Sequence, residues 1–173
     1  VFSSDLLSSA AMVDLYSQIY AQDDITGDWA DRSELLRTAY TGESADDRMS
    51  AIAQLWSSAA DARVRYSRMV LTAYAAARVP VDSGLADDAG DLIASMLAAG
   101  LDRNAARWAS VVEEGSLGWA LIALSNPNGG QVDAGVVSTF FSDDESEDAR
   151  KSAFLLAGLA GLGRLGDGAV NDL

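Results

Sequence analysis

The chain has no cysteine and no histidine. These absences exclude thiol nucleophiles, disulfides, zinc sites built on Cys or His, and every catalytic triad that depends on imidazole. A histidine proton shuttle goes with them. Only two prolines interrupt 173 residues, which leaves room for helices. Lysine is almost missing, with Lys151 alone beside eleven arginines. No run reaches the roughly 18–20 apolar residues of a membrane-spanning helix. The longest candidates, residues 153–163 and 117–124, have the length of buried helices. No signal or transit segment is legible, and the start at Val1 suggests a processed or truncated product.

What the chain has in excess is acid. Twenty-six Asp and Glu against twelve bases give a net charge of −14. That field repels a duplex or an anionic membrane, so neither nucleic acid nor membrane insertion is expected. Hydrophobic residues at 49% and charged residues at 22% suit a globular chain with a real core. The bias to Ala, Asp and Arg points to a GC-rich bacterial genome. The length fits a single helical domain over residues 1–173, or a fragment of a longer helical-repeat protein.

Apolar spacing is helical throughout. Ser3 or Ser4 is expected to cap a first helix through about Ala21, and "QDDITGD" to break it. Asp28 is expected to cap a second helix that ends at Gly42. The strongest periodicity runs through Leu55, Ala59, Ala62, Tyr66, Met69, Ala73 and Ala76, at alternating steps of four and three. It predicts one helix over 45–79, or two with a fresh cap at Asp61. Arg63, Arg65, Arg68 and Arg78 lie off that stripe and are expected to bridge to Asp82, Asp87, Asp88 and Asp91. Ser83 is expected to cap a helix to Gly100, and Asp102 one through Glu114. Ser116 should cap the apolar, buried "LGWALIAL". After the loop "SNPNGGQ", helices are expected near 134–141 and 146–165. The fold class is therefore all-α, an antiparallel helix bundle or short α-solenoid of about seven to nine helices. In style it resembles bacterial α-solenoid and helical-bundle domains, a likeness that carries no specific motif. "LIASMLAAG" and "LLAGLAGLG" align at an offset of 63 with three identities in nine, a faint trace of duplication.

Four stretches invite a chemical reading. "GLGRLG", residues 161–166, matches the dinucleotide fingerprint but follows a helix rather than a strand. Close helix packing at Ala157, Gly158 and Gly161 is the better reading. "SDDESED" holds five acids in six residues without the EF-hand spacing, and reads as an acidic helix start. "DDITGD" fails the same pattern. Glu113 and Glu114, flanked by Trp108 and Trp119, suggest a glycosidase acid beside a stacking ring. Neighbours on a helix point about 100° apart, so this pair cannot face each other across a sugar. The preferred reading is a helix corner in which Gly115 adopts the left-handed conformation and Ser116 restarts the helix. One glutamate should then find Arg103 or Arg107. Trp56, Trp108 and Trp119 are expected to be largely buried, and Trp29 the most exposed.

No catalytic, cofactor-binding or metal-ligating residue is assigned, and no cofactor. The expected function is a non-catalytic helical scaffold or protein-interaction domain with a protein partner. The alternative is a carboxylate-dependent hydrolase acting on carbohydrate or peptidoglycan. A groove holding two carboxylates beside an exposed tryptophan would favour the latter.

Overall fold

The computed structural model describes residues 8–22 and 24–165. Among them the fold is all-α, with nine α-helices and a lone bridge between Val132 and Leu165. The chain divides into two compact units, one of residues 1–80 with 98–101, the other of residues 81–97 and 102–173. No helix among the described residues is long and apolar enough to cross a membrane.

The first unit holds α1 (Ser9–Tyr20), α2 (Asp28–Thr41), α3 (Ala45–Ser57) and α4 (Ala62–Ala76). Ser3 and Ser4 lie outside the described residues. The observed cap of α1 is Ser8, whose hydroxyl accepts from Ala11 N. Gly27, not Asp28, precedes α2: its φ of 76° and ψ of −154° suit only glycine, so Asp28 is already helical. The Asp28 carboxylate turns instead to Arg32 one turn on, at 3.8 Å. Between α3 and α4 the long periodicity breaks, because Asp61 accepts from Val64 N and caps a new helix. Tyr66 therefore leaves the expected stripe and is 58% exposed, and the buried line of α4 runs through Met69, Thr72, Ala73 and Ala76. Trp56 is buried in this unit, with its indole N–H donating to Thr72 Oγ1 at 2.9 Å.

Arginines close helix ends in this unit. Arg78 donates to Tyr40 O and Arg48 to Gly42 O at the end of α2. Arg68 donates to Leu55 O and Ser58 Oγ at the end of α3. Helix C-termini expose unpaired carbonyls and the negative end of the dipole, so a guanidinium serves both. Two of the four arginines expected to meet aspartates thus have backbone partners that the wheel could not indicate.

The second unit holds α5 (Ala86–Ala98), α6 (Asp102–Ala106), α7 (Leu117–Ser125), α8 (Ala134–Ser142) and α9 (Arg150–Gly161). Asp82, not Ser83, accepts from Gly84 N and opens a 3-10 turn ahead of α5, since Ser83 itself is the first residue of that turn. The helix expected to reach Glu114 stops at Ala106 and tightens into a 3-10 turn over Arg107–Ser110, which seats Trp108 at 1% exposure. Ala120, Val137, Phe140, Leu155 and Leu159 form a buried cluster from α7, α8 and α9. Here α7 departs from expectation, because only Gly118 and Ala120 are buried in it. Trp119 is partly buried against the cluster, and Leu117 is 37% exposed. A nine-residue helix has too few neighbours to cover every side. Gly158 lets α9 approach α7, for a Cβ there would lie 2.6 Å from Leu124 Cδ2. Gly161 has open space around it and plays no such part. Arg164 is buried and donates to Ala123 O and Asn126 O at the end of α7, repeating the device of the first unit.

The acidic stretch before α9 is built into the fold. Asp148 and Ala149 are both left-handed, with φ of 55° and 48°, so α9 starts at Arg150 instead of Ser146. Asp144 accepts from Ser146 N, Ser152 N and Ser152 Oγ at 2.9, 2.8 and 2.6 Å. The side-chain bonds of Ser146 and Ser152, then their backbone N–H groups, hold its carboxyl well below the usual range. A depressed folded pKa contributes stability above the unfolded value and loses it as pH falls through the folded one. Asp144→Asn is thus expected to destabilise at neutral pH. The difference from wild type should shrink as acid melts are taken below about pH 4. A pH-independent difference would contradict this role.

Candidate functional site

The Glu113–Glu114 pair lies in a turn. Ser116 N donates to Glu113 O at 3.1 Å, and the Ser116 hydroxyl accepts from Trp119 N at 3.2 Å to start α7. Gly115 has φ of 83° and is buried. A Cβ at Gly115 would lie 2.8 Å from Thr139 Cγ2 and 3.0 Å from Thr139 Cβ, so α8 packs directly on the glycine. Both glutamates are exposed, and neither pairs with Arg103 or Arg107. The helix ends well before them, so there is no terminal dipole for a base to offset.

Glu113 does have acidic company. A cleft of about 350 Å³ in the second unit is lined by Asp87, Asp91, Glu113 and Leu117, among others. Gly90 and Gly118 also line it, and a Cβ at Gly90 would lie 3.4 Å from Gly118 N. No tryptophan lines this cleft. Trp108 is buried and Trp119 packs toward the Ala120 cluster, so neither serves as a stacking platform there. Among the described residues no group of three or more acids is disposed to hold a metal ion. "GLGRLG" ends a helix, with Gly163 left-handed and Arg164 turned inward; Gly166 lies outside the described residues. Asp23 of "DDITGD" does too.

A different surface emerges in the first unit, between α1 and α2. Helix α1 is rich in apolar residues yet has none buried. Tyr16 packs on Trp29 with ring centroids 6.0 Å apart, and the Arg32 guanidinium lies 4.6 Å from the Trp29 ring. Arg37 lies 4.8 Å from the ring of Tyr20. Tyr20 and Trp29 are nearly half exposed, at 47% and 49%. Burial raises the Tyr40 hydroxyl above its ordinary pKa, with Tyr74 adding and Arg78 opposing, while that hydroxyl donates to Leu71 O at 2.8 Å. Sequence reasoning placed Trp29 at the surface but missed this cluster. The available signals were Tyr16 and Tyr20 at i, i+4 and Trp29 and Arg32 at i, i+3, spacings that put each pair on one helix face.

Comparisons with protein-family models, with curated proteins and with solved structures find no match to this chain.

Proposed function

We propose that the protein is a non-catalytic helical interaction domain of a bacterial protein, and that the α1–α2 face of its first unit receives a protein partner. The observation carrying this reading is the set Tyr16, Tyr20, Trp29, Arg32 and Arg37, held in ring–ring and cation–ring contacts, with Tyr20, Trp29 and Arg37 exposed and Tyr16 and Arg32 half-buried beside them. Tryptophan, tyrosine and arginine dominate the energetic centres of protein interfaces. Rings already packed on one another lose little freedom on binding. The test is affinity capture from a lysate of the encoding organism, with wild type and Trp29→Ala side by side. A protein captured by wild type and lost with Trp29→Ala, at unchanged thermal stability, is the expected result. Identical capture by both chains would overturn the reading.

The carboxylate-hydrolase alternative draws on the cleft shared by Asp87, Asp91 and Glu113. It requires that Glu113→Gln abolish a measurable hydrolysis of glycan or peptidoglycan while the fold persists. The absence of a ring from that cleft's lining weighs against a sugar, since pyranose faces are commonly held by stacking.

A further inference from the structure

The α1–α2 face contains a cleft of about 180 Å³, walled by Val13, Tyr16, Tyr20, Leu36 and Tyr40, with Arg37 in its lining. A cavity of roughly 150 Å³ takes up a benzene ring, so this one is of a size for a single large side chain. Four of the six hydroxyls in the lining, all but those of Tyr16 and Tyr20, already donate within the fold. Ser17 donates to Val13 O, Ser33 to Ala30 O, Thr41 to Arg37 O and Tyr40 to Leu71 O. Arg37 differs from them: its guanidinium has no hydrogen bond or ion pair among the described residues and touches the Tyr20 ring. A cation–ring contact holds the charge in place while leaving N–H groups free. An arginine fork with free donors matches a carboxylate.

An apolar hollow with that fork in its own wall recognises an apolar group and a carboxylate close together on one ligand. We propose that the cleft captures the C-terminal residue of a partner polypeptide. A large apolar side chain enters between Tyr16 and Tyr20, and the free α-carboxylate pairs with Arg37. The proposal rests on the interaction reading above and gives its partner a chemistry. A polypeptide is favoured over a free acid because the surface continues past the cleft. Trp29 shares the α2 line of Ser33, Leu36 and Tyr40, contacts Tyr16, and stays half exposed. A single residue filling the cleft leaves that ring in water, whereas the preceding chain covers it. Exposed Asp31 and Glu34 on α2 disfavour a polyanion and favour basic residues upstream.

The test uses the full chain and an N-terminally labelled hexapeptide, GKSKAF, read by fluorescence anisotropy. Its C-terminal amide and N-acetylphenylalanine serve as the other probes. The free-acid hexapeptide is expected to bind at least tenfold more tightly than its amide and than N-acetylphenylalanine. Arg37→Gln should weaken the free acid to the level of the amide, with no further loss when both changes are combined. Arg37 is exposed, so this variant is expected to melt as wild type does. Equal binding of acid and amide overturns the proposal, as does absence of binding by the hexapeptide. N-acetylphenylalanine matching the hexapeptide overturns the polypeptide assignment. If Arg37→Gln still captures the cellular partner that Trp29→Ala loses, this inference fails and the broader reading stands. Loss by neither variant defeats the broader reading itself.

Discussion

Gly115→Val is expected to destabilise the protein by roughly 2–5 kcal/mol. Two causes add. A β-branched residue at φ of 83° is strained wherever it sits. Independently, its Cβ would be driven to 2.8 Å from Thr139 Cγ2, and Thr139 belongs to a helix that cannot withdraw without opening the Phe140 side of the cluster. Gly115→Ala meets the same clash and most of the same backbone strain, omitting only the branch, so it should retain a large part of the loss. Glu113→Gln and Glu114→Gln, at exposed positions beside the same glycine, should stay within about 1 kcal/mol of wild type. Urea melts of the four variants decide the matter. Near-neutral Gly115→Val, or a large loss at either glutamate, would contradict the corner.

Trp56→Ala is the second large effect, at about 3–5 kcal/mol. The ring is 4% exposed, so truncation leaves a void in the first unit. It also removes the N–H that donates to Thr72 Oγ1. Trp56→Phe refills most of the space and should cost about 1–2 kcal/mol, chiefly the lost hydrogen bond. Trp29→Ala, at 49% exposure, should change stability by under about 1 kcal/mol. The two tryptophans thus separate fold from surface within one unit. Comparable losses at both positions in chemical melts would show that the α1–α2 face is structural.

Much of this is legible in the sequence alone. The all-α class follows from apolar spacing, and the stop at Gly42 and the loop after Ser125 from punctuation residues whose chemistry is local; the cap at Asp61 is legible only as one of two alternatives, which the structure decides. Gly115 and Ser116 are legible from the same local chemistry. Local rules fail where a neighbour far along the chain takes over. Arg68 and Arg78 find carbonyls 13 and 38 residues away, which no helical wheel anticipates. Asp144 reaches forward eight residues to Ser152, so acids that read as a helix start end as a cap on a later one. Trp119 reads as core because its helix is apolar on all sides, but burial depends on how many partners arrive. The α1–α2 cleft is hidden because each helix alone shows only an ordinary amphipathic pattern. Its character comes from rings and guanidinium groups of different segments meeting.

The most direct test of the central claim is isothermal titration of the purified captured partner against wild type, Trp29→Ala and Glu113→Gln. An interface centred on the α1–α2 face predicts at least a tenfold loss of affinity for Trp29→Ala, about 1.4 kcal/mol or more. Glu113→Gln should bind within about twofold of wild type, since its carboxylate lies in the other unit. Unchanged affinity for Trp29→Ala together with loss for Glu113→Gln would contradict the account and move the site to the acidic cleft of the second unit.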